Sequence, residues 1–270
     1  DSENSLRILA TREDFELISE PEDADIIVIN TCGFIGDAKR ESIETIIEMG
    51  EYKRTGKLKK LIVTGCLTQR YAGELLNEMP EVDAFLGTGE VEEIGKVIRE
   101  LIITNERIVK NDNLNYLVNS GTDRVLTTYP HTAYIKVAEG CNNRCSYCVI
   151  PFLRGNYRSR TIEDIVQEVS NLADQGVKEF NIIAQDTTEY GIDIYKKRML
   201  PELLRELSKI DKVEWIRVFY TYPDIFTDEL IEVYKTENKI CKYIDMPIQH
   251  ISDRILKLMN RKGGSANIKE

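Results

Sequence analysis

Apolar residues follow two alternating patterns along the chain. Ile26-Ile27-Val28-Ile29 is a short continuous apolar run ending at Asn30-Thr31-Cys32-Gly33, the mark of a parallel strand buried on both faces. Ile35, Ala38, Ile43, Ile46 and Ile47 then recur near a 3.6-residue period and predict a helix. Leu61-Ile62-Val63, ending at Gly65-Cys66, predicts a second strand, and residues 69–78, stopped by Pro80, a second helix. A third strand is expected at 82–86 and a third helix at 91–103. Residues 1–104 therefore predict a small α/β domain with a parallel sheet. Residues 105–128 lack a period and are rich in Asn111, Asn113, Asn115, Asn119, Ser120, Gly121 and Asp123, which predicts a linker.

Over 129–270 the strand–helix alternation resumes. Strands are expected at 133–137, 180–184, 214–220 and 243–248, with helices at 162–173, 200–210, 228–234 and 252–259. The first of these helices is the clearest: Ile162, Ile165, Val166, Val169, Leu172 and Ala173 share a face, Thr161 and Asp164 form a capping pattern, and Gly176 ends it. Four successive β/α units predict a parallel barrel, complete or partial, with its chemistry at the C-terminal strand ends.

Composition narrows the class. With 42% hydrophobic and 30% charged residues the chain is globular and not disordered. Its apolar runs are far short of the ~18 residues a membrane helix needs, so no membrane partner is expected. No secretory leader opens the chain, and a cytoplasmic protein is expected. A net charge of -10 argues against wrapping a long nucleic acid. The chain opens at Asp1 with no methionine and reads as a fragment.

Six cysteines are too few for a disulfide scaffold, yet their placement is patterned. Cys141, Cys145 and Cys148 form C-x-x-x-C-x-x-C in the loop after the first barrel strand. Three thiolates at this spacing suit a cubane iron–sulfur cluster with one iron left open for a small chelating ligand. The alternative is structural zinc in a non-catalytic scaffold, with a distant fourth ligand such as Cys241 or His250. Cys32 and Cys66 each end a predicted parallel strand, so they should meet at one edge of the first sheet; otherwise they are buried core thiols. Gln185 and Asp186, at the end of the second barrel strand, can offer hydrogen bonds to a polar ligand in the barrel mouth. Arg217 lies mid-strand; facing inward it could meet a carboxylate, and facing outward it would be solvated or paired. Arg154, Arg158 and Arg160 make a basic loop beside the triad, either surface charge or a contact for an anionic surface. Tyr147 is either a core tyrosine or a ligand-facing ring.

Glu139-Gly140-Cys141-Asn142-Asn143-Arg144-Cys145-Ser146-Tyr147-Cys148, with Val149-Ile150-Pro151 and Arg154-Gly155-Asn156-Tyr157-Arg158-Ser159-Arg160, resembles the radical S-adenosylmethionine (SAM) enzymes, and among them the methylthiotransferases. Asn30-Thr31-Cys32-Gly33-Phe34 and Thr64-Gly65-Cys66 resemble the N-terminal domain of the same family. The resemblance implies a [4Fe-4S] cluster on Cys141, Cys145 and Cys148 whose open iron holds SAM, with Tyr147 near the adenine. It implies a second [4Fe-4S] cluster on Cys32, Cys66 and a cysteine upstream of Asp1. Ala184-Gln185-Asp186-Thr187-Thr188, Tyr220-Thr221-Tyr222-Pro223 and Asp245-Met246-Pro247-Ile248-Gln249-His250 resemble the branch that inserts a methylthio group at an aspartate β-carbon of small-subunit ribosomal protein twelve, the alternative being tRNA adenosine. The implied partners are that ribosomal protein, an electron donor such as flavodoxin or ferredoxin, and a tRNA or ribosomal RNA contact. The resemblance implies later barrel strands beyond Glu270 and a C-terminal TRAM domain that 1–270 is not expected to hold, and the fragment is expected to be inactive alone.

Other signals carry less. Gly87-Thr88-Gly89 follows a strand without the third glycine of a nucleotide loop. His131 and His250 lack a nucleophile partner, Cys241 is expected in the core, and Lys53-Arg54-Thr55-Gly56-Lys57-Leu58-Lys59-Lys60 is expected to be a solvated helix end.

Overall fold

A computed structural model describes residues 2–10, 14–119 and 125–269. The chain divides into two compact units, Asp1–Tyr116 and Leu117–Glu270. Of the expected linker, residues 120–124 lie outside the described residues.

The first unit is built on four parallel strands in sequence order: β1 (Ile26–Thr31), β2 (Lys60–Gly65), β3 (Ala84–Leu86) and β4 (Ile108–Lys110). Every residue of β2 is buried, which explains its unbroken apolar run. Leu61, Val63 and Phe85 pack with Ile46 and Leu75 of helices Gly36–Gly50 and Cys66–Glu78. Ile62, Ala84 and Leu86 face the other way, against Leu9, Ile98 and Leu101 of helices Ser2–Ala10 and Ile94–Thr104. The β4 strand corrects the sequence reading, which placed it in the linker; three residues with one buried side chain leave no period to read. Helix Ser2–Ala10 was also not anticipated.

The second unit contains β5 (Thr132–Lys136), β6 (Ala138–Glu139), β7 (Arg158–Ser159), β8 (Glu179–Ile183) and β9 (Trp215–Val218). The β5, β8 and β9 strands form a parallel sheet in that order, while β6 and β7 pair antiparallel. Helices Ile162–Asp174, Leu200–Ser208 and Asp228–Thr236 cover one face, where Ala133, Ile135, Phe180, Ile182, Ile216 and Val218 meet Ile165, Val169, Leu203 and Leu207. The alternate register partners Tyr134, Asn181 and Arg217 point away from that core. Thr161 caps its helix by accepting from the Asp164 N–H (3.3 Å), and Gly176 follows with φ +106°, as the pattern predicted.

The fourth expected barrel strand does not form. After the parallel bridge Ile216↔Ile240, the chain keeps isolated bonds to β9 and its flank, among them Cys241 N–H to the Ile216 carbonyl (2.9 Å) and Thr221 N–H to the Asp245 carbonyl (3.0 Å). Pro247 lacks the N–H a ladder needs, and Tyr243, Ile244 and Ile248 are exposed, so among the described residues no helix buries them. Cys241, expected in the core, is half-buried. Among the described residues no helix is long and apolar enough to cross a membrane.

Candidate functional site

The triad sits on an excursion whose neck is the β6–β7 pair, with Ala138 opposite Ser159 and Glu139 opposite Arg158. Gly140 turns the chain out with φ +82°, and a Cβ there would lie 2.2 Å from the Asn156 carbonyl oxygen. Only glycine permits that approach, and it lets the Cys141 N–H donate to the Gly155 carbonyl (3.2 Å). Cys141 is buried, Cys145 and Cys148 are half-buried, and all three are free thiols. The Cys148 N–H donates to the Cys145 carbonyl (3.0 Å). Burial pushes the Cys141 thiol up to about 11 and raises Cys148 as well. The neighbouring sulfurs add to the shift at both, a sign that the three thiols share one environment. Such thiols stay neutral until a metal displaces their protons.

Both asparagines of the motif anchor the loop. Asn142 Oδ1 accepts from the Tyr157 N–H (3.1 Å), and Asn143 Nδ2 donates to Asp186 Oδ2 (2.6 Å). Asp186, just past the end of β8, is buried; its other oxygen accepts from the Thr188 hydroxyl (2.6 Å), and its carbonyl accepts from the Tyr157 hydroxyl (2.8 Å). Burial raises its carboxyl above the ordinary range against those bonds. Asp186 therefore braces the loop from the C-terminal end of β8, with both carboxylate oxygens engaged inside the protein. The adjacent Gln185 keeps its Oε1 buried without a hydrogen-bond partner among the described residues, an acceptor free to meet a ligand.

Glu139 is the centre of a cation cage. Its Oε2 lies 2.8 Å from Lys136 Nζ and 3.3 Å from Arg154 Nη1. Burial favours its neutral form, but Lys136, Arg154 and Arg158 outweigh that and hold its carboxyl down to about 2. The expected basic loop is thus largely internal. Arg154 is paired with Glu139, Arg158 donates to the Asn156 (2.6 Å) and Arg154 (3.1 Å) carbonyls, and Arg160 is buried against Asp164 and Glu168 (2.6 Å each).

Arg217 points away from the helix-packed core, but Glu179 claims it. Its Nε donates to Glu179 Oε1 (3.0 Å), and its guanidinium lies 5.3 Å from the Tyr243 ring centre. Glu179 opens β8, so this pair draws Arg217 toward the N-terminal strand ends, away from the triad. Tyr147 is about half exposed beside Cys145.

In the first unit, Cys32 and Cys66 follow register partners Thr31 and Gly65 at the C-terminal ends of β1 and β2. Both lie at that edge, and the turn after Cys32 packs on the Cys66 backbone: a Cβ on Gly33 would lie 2.6 Å from the Cys66 carbonyl oxygen. Cys32 is exposed and its N–H donates to Ser42 Oγ (3.1 Å), while Cys66 is buried at the start of its helix. Ser2 reaches the same edge, accepting from Asn30 Nδ2 (2.9 Å).

Among the described residues, no group of three or more His, Cys, Asp or Glu side chains gathers around one point where a single metal ion could sit. His250, a suggested fourth zinc ligand, accepts from the Ser252 N–H through Nδ1 (2.9 Å). The donor set of three free thiols on one loop fits the cluster. Gly87-Thr88-Gly89 offers no phosphate cradle: a Cβ on Gly89 would lie 1.8 Å from the Asn113 carbonyl oxygen, so the chain itself fills that space. Sequence reasoning gave no roles to Asn142, Asn143, Glu139 and Tyr157; their signal was their adjacency to the triad, which spacing alone does not turn into contacts.

The family model described as Radical SAM superfamily matches residues 135–270, and that described as Uncharacterized protein family UPF0004 matches residues 1–87. A protein of Thermoanaerobacter sp. strain X514 named ribosomal protein uS12 methylthiotransferase RimO is 53% identical over all of this chain and 61% of its own length. One of the same name from Caldicellulosiruptor saccharolyticus is 55% identical over 95% of this chain and 58% of its own. The chain thus spans about three fifths of the length of these relatives. In fold it is similar to the radical SAM methyltransferase TsrM from Kitasatospora setae, solved with cobalamin and a [4Fe-4S] cluster bound (TM-score 0.62, 14% identity, 92% of this chain and 53% of that one). With one family's model covering the second half of the sequence, triad loop included, the chain belongs to the radical SAM superfamily.

Proposed function

We propose that the protein inserts a methylthio group at the β-carbon of an aspartate in ribosomal protein uS12. The observation that carries this reading is the triad loop, three free thiols braced by Asn143–Asp186 to the C-terminal end of β8, in a chain more than half identical to proteins of that activity. In this reading Cys141, Cys145 and Cys148 hold three irons of a [4Fe-4S] cluster. When bound, that cluster supplies the electron that cleaves SAM to a 5′-deoxyadenosyl radical able to take hydrogen from an unactivated C–H bond. Gln185 Oε1 accepts a hydrogen bond from SAM, Tyr147 lends its ring to the adenine, and Asp186 keeps the loop against β8. Arg217 takes the paired rather than the carboxylate-binding role. Cys32 and Cys66, with a cysteine upstream of Asp1, hold the second cluster at the edge that Ser2 also reaches. The partners in this reading are uS12 and a cytoplasmic electron donor of the flavodoxin or ferredoxin kind. An RNA contact gains no support from the lysine run, where Lys53, Lys57 and Lys59 pair with Asp83, Asp23 and Asp25.

The test is anaerobic reconstitution followed by incubation with SAM, reductant and either uS12 or tRNA. About four irons with matching sulfide per triad, lost in the Cys141/Cys145/Cys148 triple alanine variant, together with SAM cleavage, are expected. Methylthiolated uS12 from the whole protein completes the reading. Stoichiometric zinc without sulfide overturns it, and modified tRNA with unmodified uS12 replaces the substrate.

A further inference from the structure

The triad loop is held from a second side, by the end of helix Asp253–Leu258. That helix closes in a Schellman arrangement: the Asn260 N–H donates to the Lys257 carbonyl (3.1 Å) and the Arg261 N–H to the Leu256 carbonyl (2.9 Å). Asn260 occupies the left-handed position with φ +54°, where glycine is the usual residue. Its amide does what glycine cannot, donating through Nδ2 to the Arg144 carbonyl (2.8 Å). Arg144 is itself left-handed, φ +51°, so two non-glycine residues carry backbone strain on either side of one hydrogen bond. Two further bonds join the same segments. The Ser146 N–H donates to the Met259 carbonyl (3.1 Å) and the Ser146 hydroxyl to the Leu258 carbonyl (2.9 Å).

Arg261 follows. Its guanidinium lies 3.7 Å from the centre of the Tyr222 ring, and its Nη2 donates to the Pro247 carbonyl (2.9 Å). The Tyr147 hydroxyl interacts with both Arg261 and the Cys145 thiol, and the Tyr222 hydroxyl with Cys145. Tyr147 and Tyr222 thus flank Cys145, and both neighbour Arg261, whose guanidinium is fixed on the Tyr222 ring.

We propose that Asn260 and Arg261 are positioning residues for the triad: Asn260 clasps the Arg144–Ser146 turn that presents Cys145, and Arg261 holds a fixed positive charge on the Tyr222 ring, next to the tyrosines that flank that thiol. This rests on the cluster reading above and goes beyond it, assigning the clasp to side chains outside the cysteine motif. A cation held there stabilises the more negative, reduced cluster and so raises its midpoint potential.

The experiment uses the anaerobically reconstituted chain carrying Cys32→Ala and Cys66→Ala, so that only the triad is read. Asn260→Gly keeps the left-handed helix end and removes only the amide. Glycine relieves the strain at φ +54° while it loses the amide, so the apo-protein's melting temperature is expected to change little, and the cluster to bleach about 2- to 12-fold faster under an iron chelator, the range of one lost hydrogen bond. Arg261→Gln is expected to lower the midpoint potential, and Arg261→Lys to recover most of the loss. Wild-type bleaching in Asn260→Gly with a wild-type potential in Arg261→Gln overturns the proposal, as does a fall in apo melting temperature that accounts for the faster bleaching. A parent protein that takes up no iron and sulfide fails the cluster reading itself, before any variant is compared, and removes the clasp with it.

Discussion

At the scale of single residues, Glu139 carries more consequence than its place before the motif suggests. Its side chain is 7% exposed, and those of Lys136 and Arg154 are 15% each, so their charges interact in a poorly solvated space. Removing the carboxylate takes away the counter-charge that Lys136 and Arg154 share. Glu139→Gln is expected to destabilise the second unit by about 3 kcal/mol, measured by denaturant unfolding at neutral pH. The pH dependence has a definite sign. The folded-state value is depressed from 4.5 to about 2, so the carboxylate's contribution is complete above the unfolded value and drains away as pH falls toward the folded one. The stability gap between wild type and Glu139→Gln should therefore close between about pH 5 and pH 2; a gap constant over that window would contradict the cage. The cysteines were legible because their spacing has few uses in chemistry. Glu139 was not, because its role depends on three cations drawn from β5, helix Ile150–Arg154 and β7, brought together only by the β6–β7 neck.

At the scale of elements, long periodic segments were readable and short ones were not. Helix Ile162–Asp174 and strand β2 matched their patterns because burial on a face, or on both, dictates the residue type at most positions. The two-residue strands β6 and β7 leave no such trace, and yet they close the excursion that bears the triad. Conversely, residues 243–248 look like a strand, but Pro247 and, among the described residues, the lack of a covering helix deny them a ladder. The neck makes its own prediction through Gly140. A methyl group there would collide with the Asn156 carbonyl at 2.2 Å in a backbone conformation, φ +82°, that side chains disfavour. Gly140→Ala should cost about 1–3 kcal/mol and reduce iron held by the triad, while hydrogen exchange in β1 and β2 of the first unit stays as in the wild type. Full iron retention in Gly140→Ala would show that the neck does not set the loop.

At the scale of the whole molecule, the sign of the charge separates the two candidate macromolecular substrates. The chain carries -10, and its densest basic run is neutralised by its own carboxylates: Lys57 and Lys59 pair with Asp23 and Asp25 at 2.7 Å, and Lys53 with Asp83. On the proposed function, a ribosomal protein that binds RNA phosphates carries excess positive charge, and this acidic chain is expected to attract it over distances comparable to the Debye length, about 10 Å at 0.1 M salt. A tRNA carries the opposite charge and is repelled by the same surface. Raising salt from about 0.05 M to about 0.5 M should therefore slow association with isolated uS12, because screening removes the attraction that steers the encounter. The same change should leave tRNA association no weaker, because screening removes a repulsion. Stopped-flow or surface-plasmon measurements of the association rate, run for both partners across that range, read the sign directly. Tight tRNA binding that weakens steeply with salt would require a cationic face able to neutralise several phosphates, contrary to this chain's self-paired lysines, and would move the substrate from protein to RNA.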